Sequence, residues 1–579
     1  MKTQLFENWD KKFQLMLTRF PFAMLFILGT AVLCCLHIHN FKIDIDDKIW
    51  AFFIAGVFLN IAAALLLEDI SHKIFRYLIK LLVIGIWALF CLTLPKHLQP
   101  YQYYQLVILG GVFGLAIFFS SFLKKDNEVP FWNFSWKIVQ QLFISYFFAA
   151  VLMGGISLAI FSIHQLFHVY ISDKVYGYLS VTCFTVFAPI YFLATLPSES
   201  EKRSDEITFN KLVKIFGLYI LLPILITYIV ILYVYLIQII FKWELPNGWV
   251  STLVSVLGLG GFITAMILFP LRIREENKIA VLLSRYFPVL LFPLLVLMLV
   301  GIVRRFDDYG ITINRGYVLI LNFWLFGISL YQFFIKGKKI KWIFISFAVV
   351  AFLVSIGPWS VSNLTRHSLN NVLVKELISN HLISNGKLIQ PLPSTVKIDT
   401  LSERKIVSSV KYLNNNYGTE SLQPIFGDSI QKKSTFKILA MLGIDESKKN
   451  EETQHFHAYC ESNTLNVTVG QFRNCMHINN SEIIKNNVYE DSLVMVTLDE
   501  TILKIQPKKK HTADIVIPLK TQINKFIDED LRYKDNEYSP NEMVIKGTNY
   551  TLFLQSVSGN LTVKTNTIKI NNLEAFILY

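Results

Sequence analysis

Charged residues are scarce in this chain of 579 residues, at 17% of the total. A soluble protein of this size carries about 25%. Hydrophobic residues make up 53% of the sequence, and the mean hydropathy is +0.45. This composition excludes an ordinary soluble protein and indicates a chain that lies largely in lipid.

Long apolar runs are absent after residue 357, but before it they recur with lengths of about 20 residues. That length crosses a bilayer core of about 30 Å, and each run must be helical because backbone amides in lipid find no water. We therefore predict a polytopic all-α membrane bundle of about eleven transmembrane helices in residues 1–357, followed by a soluble C-terminal α+β domain. The predicted spans are 21–40, 49–67, 74–94, 103–123, 136–164, 175–195, 212–241, 250–271, 281–303, 316–335 and 341–357.

Basic residues are distributed unevenly between the predicted loops. With a cytoplasmic N-terminus, the inner segments hold 20 Lys and Arg residues and the outer loops hold 8. Cytoplasmic loops carry the excess of basic residues, so we predict an inner-membrane protein with its N-terminus in the cytoplasm and its C-terminal domain in the periplasm. The net charge of +13 follows this topology, because residues 358–579 hold 25 basic and 23 acidic residues. The charge therefore indicates the lipid bilayer as a partner, with no nucleic acid.

Residues 358–579 have ordinary polarity and form the predicted outer domain. We predict a helical neck at about 358–450, where Leu369, Leu373 and Leu377 recur at helical spacing. An α+β module follows at about 455–579, where short β-rich runs begin. Cys460 and Cys475 are its only cysteines. The periplasm permits a disulfide between them, and two unpaired buried thiols are the alternative.

Ionisable residues are nearly absent from the middle of the spans. Asn60 and Asn322 are the most central polar side chains, and we interpret them as helix–helix hydrogen-bond partners. Ion-coupled transporters and proton relays usually carry acids, histidine or arginine at this depth. The scarcity argues against that class, whereas a carrier of lipids or neutral solutes needs no such residue.

Glycine pairs occur within three of the spans, at 110–111, 154–155 and 260–261. Glycine in a transmembrane helix usually marks a close approach of two helices. We therefore predict close packing at these pairs.

Patterns typical of catalysis or metal binding are weak. His164 and His168 have the spacing of metal ligands on a helix, but no cysteine or acid lies beside them, so we predict no metal site and no cofactor. Asp44, Asp46 and Asp47 occupy the first outer loop, where polytopic lipid-linked-sugar glycosyltransferases place a catalytic acid. That loop has only about eight residues. A hydrated turn that holds two helix ends is the favoured interpretation, and no catalytic residue is predicted.

One outer segment, "RRFDDYGITINR" at 304–315, concentrates charge of both signs. In the predicted topology it shares the outer face with 242–251 and 356–363. Arginine forks bind carboxylate or phosphate, but the aspartates can instead neutralise the arginines and brace the loops beneath the outer domain, which is the interpretation we favour. The candidate residues are Asn247, Trp249, Arg304, Arg305, Asp307, Asp308, Tyr309, Arg315 and Trp359.

Three stretches on this face resemble a known family: "LPNGWVS", "RRFDDYGITINRGYVLILNFWLFGISLY" and "IGPWSVSN". They are similar to bacterial polytopic membrane proteins grouped as domain of unknown function 4153, over about residues 210–360. The resemblance implies a bacterial envelope protein, in the inner membrane of a Gram-negative organism, and implies no catalytic or binding residues.

These observations predict a non-enzymatic binding or scaffold protein whose outer domain meets an envelope protein or a lipid or glycan ligand. Two alternatives stay open. A transporter or lipid translocase predicts a continuous polar cavity among the spans. A lipid-linked-sugar glycosyltransferase predicts that Asp44, Asp46 or Asp47 faces a cavity open to the bilayer.

Overall fold

The computed structural model divides into two compact units, Met1–Ile438 and Leu439–Tyr579. The first unit contains the spans and also the neck residues as far as 438, while the predicted boundary at 357 between bundle and outer domain stays a prediction. The residues described are 12–39, 45–123, 127–199, 201–203, 205–206, 211–242, 249–274, 277–309, 311–384, 387–388, 398–427, 430, 435–444, 454–460, 475–478, 488–490, 494–499, 501–508, 514–526, 536–537, 543–547, 549–562 and 567–579.

Ten helices in the described part of the chain are long and apolar enough to cross a membrane. A further apolar helix, Lys341–Ser355, has 15 residues and spans about 22 Å at 1.5 Å per residue. The predicted fold class is thus confirmed, with the eleventh predicted span formed by a short helix. The helices of the bundle are α1 (Pro21–His39), α2 (Asp47–Leu66), α3 (Lys73–Leu92), α4 (Pro100–Phe119), α5 (Glu128–Phe167), α6 (Asp173–Thr195), α7 (Val213–Lys242), α8 (Trp249–Ile267), the short α9 (Phe269–Ile273), α10 (Lys278–Tyr309), α11 (Ile313–Phe334) and α12 (Lys341–Ser355).

Helices α1 and α2 pack closely through two reciprocal glycine–phenylalanine contacts. The ring of Phe53 lies directly over Gly29, and the ring of Phe26 lies over Gly56. A Cβ atom at either glycine would come within about 2 Å of the opposing ring, so only glycine lets the two backbones approach this closely.

Prolines inside the apolar runs are expected to disturb the helix, and at Pro189 and Pro223 the helix type changes just before the proline. A π-helical segment, Val181–Phe187, precedes Pro189 in α6, and another, Phe216–Leu221, precedes Pro223 in α7. Proline has no N–H to donate to the preceding turn, and a π segment is a common way for a helix to absorb such a break. Helix α10 stays continuous through Pro288 and Pro293.

The two mid-membrane asparagines differ in their partners. Asn322 on α11 donates its Nδ2 hydrogen to the Leu295 carbonyl on α10, at 3.0 Å, as predicted for a helix–helix hydrogen bond. Asn60 instead donates to Gly56 of its own helix, at 2.8 Å. A side-chain amide four residues along a helix reaches that carbonyl without a partner helix, so the prediction is wrong for Asn60.

The neck forms two main helices, α13 (Val361–Ser379) and α14 (Thr400–Tyr417). Each begins at a capping side chain: Ser360 Oγ accepts from the Asn363 amide, and Asp399 Oδ2 accepts from the Leu401 amide. Leu369, Leu373 and Leu377 are buried along one side of α13, which confirms these members of the predicted stripe. The same helical spacing predicted Val372 and Ile378 on the stripe, but Ile378 is 55% exposed. The hairpin β1 (Ile383–Ser384) and β2 (Lys387–Leu388) and the short helices α15 (Gln423–Phe426) and α16 (Thr435–Ala440) follow in this part of the chain.

The second unit contains two sheets, as predicted for an α+β module. The first has the order β4-β12-β11-β3-β9 with β10 paired to β11, and the second is the meander β5-β6-β7-β8. All described pairings are antiparallel except that of β3 with β9. The elements are β3 (Gln454–Tyr459), β4 (Cys475–Ile478), β5 (Val488–Glu490), β6 (Val494–Asp499), β7 (Ile502–Pro507), β8 (Ile515–Pro518), α17 (Lys520–Phe526), β9 (Asn536–Glu537), β10 (Val544–Lys546), β11 (Thr551–Thr562) and β12 (Thr567–Leu578).

The two cysteines of this unit are free thiols, with Cys460 buried and Cys475 exposed. Cys475 pairs with Leu578 on β12, whereas the Cys460 amide donates to Gln555 on β11. Cys460 follows β3, so three strand spacings, about 14 Å, separate the strands that carry the two residues. A disulfide needs Cα atoms within about 7 Å. The sheet register therefore argues against the predicted bridge, and only one of the thiols is buried.

Candidate ligand sites in the membrane bundle

The segment predicted as a charged outer loop is helical over its first half. Arg304, Arg305, Asp307, Asp308 and Tyr309 belong to the last turns of α10, because neither glycine nor proline occurs between residues 302 and 309 to end the helix. The side chains of Arg304 and Arg305 are exposed. Those of the two aspartates and the tyrosine lie outside the described part of the structure.

Two other members of the predicted cluster hold helix ends. Arg315 Nη1 donates to the Arg305 carbonyl at 3.3 Å, and Trp359 Nε1 donates to the Leu353 carbonyl at 2.8 Å. The Leu353 carbonyl lies in the last turn of α12, where backbone acceptors lack partners within the helix. The bracing role of the aspartates and a ligand role for the cluster both stay predictions.

The remaining two members are Trp249 and Asn247. Trp249 begins α8 and is 77% exposed. Asn247 lies outside the described residues.

The neck packs on one end of the bundle, which we name the neck face, defined by Tyr101, Ile313, Tyr412 and Tyr417. Tyr417 stacks on Tyr101 with ring centroids 4.8 Å apart, and its hydroxyl donates to the Ser362 carbonyl at 2.6 Å. The Ile313 amide, at the start of α11, donates to the Tyr412 hydroxyl at 2.9 Å. Burial raises the pKa of both Tyr412 and Tyr417, so both phenols stay protonated at neutral pH.

The first-loop aspartates hold helix ends, as the favoured interpretation predicted. Asp47 Oδ2 accepts from the Leu98 amide and the Tyr103 hydroxyl, each at 2.9 Å, and Asp46 pairs with Lys48 at 3.3 Å. Neither residue lines a cavity described in the bundle. Asp44 lies outside the described residues. The contacts disfavour a glycosyltransferase acid at Asp46 or Asp47.

His164 and His168 lie at the end of α5 and contribute to its local structure. His164 Nδ1 contacts the Val169 carbonyl at 2.7 Å, and His168 ends α5 in the left-handed conformation, with φ of 55°. Among the residues that the structure describes, no group of three or more His, Cys, Asp or Glu could hold a metal ion.

A large apolar cavity lies among five helices of the bundle: α1, α2, α4, α5 and α6. Its volume is about 440 Å³, within the range of about 300–1,000 Å³ typical of small-molecule sites. Leu142 and Tyr146 on its α5 wall are 45% and 43% exposed, so the cavity opens towards lipid. Its lining residues are Ile27, Thr30, Ile54, Val57, Phe58, Ile61, Gly111, Gly114, Leu115, Ile117, Phe118, Ile138, Leu142, Tyr146, Phe184, Thr185, Pro189 and Phe192.

Glycine on α4 leaves this space open. A Cβ atom would meet nothing within 4 Å at Gly111, and at Gly114 only the Phe58 ring at 3.9 Å. The predicted close packing is therefore wrong for the pair at 110–111, and also for 154–155, where nothing lies within 4 Å. It holds for Gly261, whose α-carbon faces the ring of Phe287. The pattern "GGVFG" at 110–114 was the sequence signal of the cavity, but glycines at an interface and glycines at a void look the same in one sequence.

Ion pairs connect the helices at the opposite end of the bundle, which we name the N-terminal face, defined by Arg19, Glu68, Arg76, Lys80 and Lys202. Glu68 Oε1 accepts from Arg19 Nε at 2.6 Å, and its other oxygen pairs with Lys202. Lys202 is 5% exposed and also donates to Ser121 Oγ at 3.0 Å. Burial lowers the pKa of Lys202, and the Glu68 carboxylate opposes that shift.

Beside Lys202 lies a small cavity of about 30 Å³, which is room for about one water molecule. Its wall includes Glu68, Asp69, Ser121, Glu199 and Lys202. Sequence reasoning missed this cluster, because Glu68 and Lys202 are 134 positions apart and each alone is an ordinary loop charge.

Buried aromatic rings pack beside these ion pairs. Phe131 and Phe134 are 0% and 2% exposed, and the Phe122 ring lies 5.8 Å and 5.4 Å from their centroids. Lys202 Nζ lies 5.2 Å from the centroid of Phe134, so an aromatic ring contacts this buried ammonium group.

A family model described as "Domain of unknown function (DUF4153)" matches residues 21–385, more than half of the chain. The chain belongs to this family. The match confirms the resemblance seen in residues 210–360 and extends it across α1 to α13. The DUF4153 region therefore includes the whole wall of the apolar cavity and the neck helix α13.

One curated relative is an uncharacterized protein of Pasteurella multocida strain Pm70, 27% identical over 203 residues. The matched region is 34% of this chain and 34% of that protein, so the chain spans about a third of the relative's length. No solved structure matches the chain significantly.

Proposed function

We propose that this multi-pass DUF4153 protein is a non-enzymatic binding protein of the bacterial inner membrane that holds a lipid acyl chain in the apolar cavity. Its N-terminus is cytoplasmic, and residues 358–579 form a periplasmic domain available to an envelope partner. The observation that carries the proposal is the 440 Å³ cavity among five transmembrane helices. Its lining offers few polar groups, which are Thr30, Tyr146 and Thr185 as hydroxyls.

An apolar tail suits this lining better than a polar solute. A polar solute would lose its hydration without gaining enough hydrogen bonds in return. A lipid tail gains contact with side chains from five helices, and it enters through the lipid-exposed side of α5 at Leu142 and Tyr146.

The same features favour a holding site over the second candidate, a lipid translocase. A translocase needs a polar path for the headgroup across the bilayer. The cavity lining offers a headgroup only the hydroxyls of Thr30, Tyr146 and Thr185.

Filling the cavity from α4 tests the proposal. We expect Gly111→Leu and Gly114→Leu, alone or combined, to displace the bound tail, because each new side chain enters open space. Leucine also favours the helix over glycine by up to about 1 kcal/mol, so the variants should fold. The measurement is native mass spectrometry of the purified full chain, which counts phospholipid molecules retained in a delipidating detergent.

The matched control is Gly155→Leu on α5, where a Cβ also meets nothing within 4 Å and which does not line the cavity. Wild type and the control should retain one tightly held lipid that the α4 variants lose. Equal retention by all of them would overturn the proposal.

A further inference from the structure

The N-terminal face carries cations whose described polar contacts are not carboxylates. Arg76 donates to the backbone carbonyls of Glu68, at 3.1 Å, and Ile70. Lys80 is 5% exposed, and its Nζ lies 3.4 Å from the Arg19 carbonyl. An ammonium group has three hydrogens to donate, so one long hydrogen bond leaves Lys80 poorly satisfied.

Two further donors in the same place have no protein acceptor. Arg19 Nη2 and Arg76 Nε are buried and lack a hydrogen-bond partner among the described residues. Leaving a charged donor buried and unsatisfied is costly, and buried charges are normally paired. These donors therefore indicate an acceptor that the described residues do not supply.

The charge of the cluster indicates the sign of that acceptor. Four cations, Arg19, Arg76, Lys80 and Lys202, surround the carboxylate of Glu68, which pairs with Arg19 and Lys202. Asp69 and Glu199 lie beside Lys202 in the wall of the small cavity. The side formed by Arg76 and Lys80 on α3 is thus the cationic side.

This cationic side adjoins lipid. Tyr77 and Leu78 on α3 are 42% and 58% exposed, and Tyr77 packs against Phe22 of α1. Arg19 has 20% of its side chain exposed, whereas its Nη2 atom is buried, so a phosphate must displace neighbouring side chains to reach that donor. Lys80 lies seven residues after the first residue of α3, at a depth of about 10 Å.

We propose that the N-terminal face binds the phosphate of an anionic phospholipid through Arg19, Arg76 and Lys80. Guanidinium groups bind phosphate through paired N–H donors, and Lys80 adds a positive charge behind them. This site is separate from the apolar cavity and goes beyond the function proposed above, since the tail of this second lipid lies against the outer surface of α3.

The test compares lipids with identical acyl chains on the purified full chain by native mass spectrometry. The probes are phosphatidylglycerol, diacylglycerol without phosphate, and inorganic phosphate as a competitor. We expect wild type to bind phosphatidylglycerol about tenfold more tightly than diacylglycerol, as for a hydrogen-bonded ion pair. Excess inorganic phosphate should not displace it; displacement would identify free phosphate as the ligand and overturn the lipid assignment.

Lys80→Met should remove most of this preference while leaving diacylglycerol binding unchanged, and Lys80→Arg should keep it. Lys80→Met removes a buried charge without breaking a described ion pair. It therefore tests the phosphate site even if a variant at the buried guanidinium, Arg76→Gln, does not fold. Lys137→Met, at an exposed pair with Glu201, is the control and should match wild type. An unchanged preference in Lys80→Met would overturn the site.

Gly114→Leu distinguishes the proposed acyl-chain site in the apolar cavity from the proposed phosphate site at the N-terminal face. Gly114→Leu acts on the apolar cavity alone and should leave the preference for phosphatidylglycerol at α3 unchanged. Loss of that preference in Gly114→Leu would show that the phosphate belongs to the cavity lipid and would overturn a separate site.

Discussion

At the neck face, the bundle and the neck meet through tyrosine hydroxyls, backbone groups and stacked rings, whereas at the N-terminal face the helices meet through buried ion pairs. Tyr417 and Trp359 each donate a hydrogen bond, and Tyr412 accepts one from the Ile313 amide. At the N-terminal face, two guanidinium nitrogens have no acceptor among the described residues.

The buried atoms without a partner also differ in kind. On the neck helix α13 they are neutral oxygens, Thr365 Oγ1 and Asn370 Oδ1. At the N-terminal face they are cationic donors on Arg19 and Arg76, which cost more to leave unsatisfied. The unpaired groups at the N-terminal face can therefore bind an anion, whereas those on the neck helix are neutral and do not favour one.

The largest stability effect should follow from breaking the ion pairs at the N-terminal face. Glu68→Gln leaves Lys202, which is 5% exposed, without its carboxylate, and removal of one partner from a buried pair costs about 3–5 kcal/mol. We expect a large drop in the thermal unfolding temperature of the detergent-solubilised protein. The control Glu201→Gln removes an exposed pair with Lys137 and should cost no more than about 1 kcal/mol. A similar small effect for Glu68→Gln and Glu201→Gln would contradict the claim that burial of Lys202 makes the loss of its carboxylate partner costly.

A smaller effect should follow at the neck face. Tyr417→Phe keeps the stacking on Tyr101 but removes the hydroxyl that donates to the Ser362 carbonyl at 2.6 Å. The Ser362 carbonyl keeps its place in helix α13, so the variant loses one hydrogen bond, which costs about 0.5–1.5 kcal/mol, and the unfolding temperature should fall by less than in Glu68→Gln. Tyr170→Phe is the matched control, since Tyr170 is 86% exposed. A larger fall in unfolding temperature for Tyr417→Phe than for Glu68→Gln would contradict the conclusion that the buried ion pairs contribute more stability than the neck contacts.

The smallest effect is expected at the end of α10. Arg304→Ala and Arg305→Ala remove exposed side chains, and such substitutions usually change stability by within about 0.5 kcal/mol. We expect no change in unfolding temperature or in lipid retention. A loss of retained lipid would instead support the ligand role that the sequence suggested for this cluster.

Hydropathy predicted the helices well, because lipid imposes one requirement on every span, a continuous helix with an apolar surface. The predicted span 21–40, for example, matches α1 (Pro21–His39). Helix ends beyond the membrane were harder to predict, since neither lipid nor a glycine ends α10 at residue 303. The extension through Arg304 and Arg305 turned a predicted loop into a helix end.

The candidate sites could not be predicted in the same way, because they depend on contacts between distant segments. Glycine at 110–111 has the same local pattern as Gly261, yet one borders a cavity and the other packs under Phe287. The partners of Glu68 likewise come from separate helices. Single-sequence patterns record composition and spacing, and neither specifies which charges become buried together.

A density map of the full chain in a lipid nanodisc would show directly whether an acyl chain lies among α1, α2, α4, α5 and α6. We predict elongated density between Gly111, Gly114 and Thr185, continuous with lipid past Leu142 and Tyr146. A cavity that is empty at this position, or filled by rearranged side chains of the protein, would contradict the account.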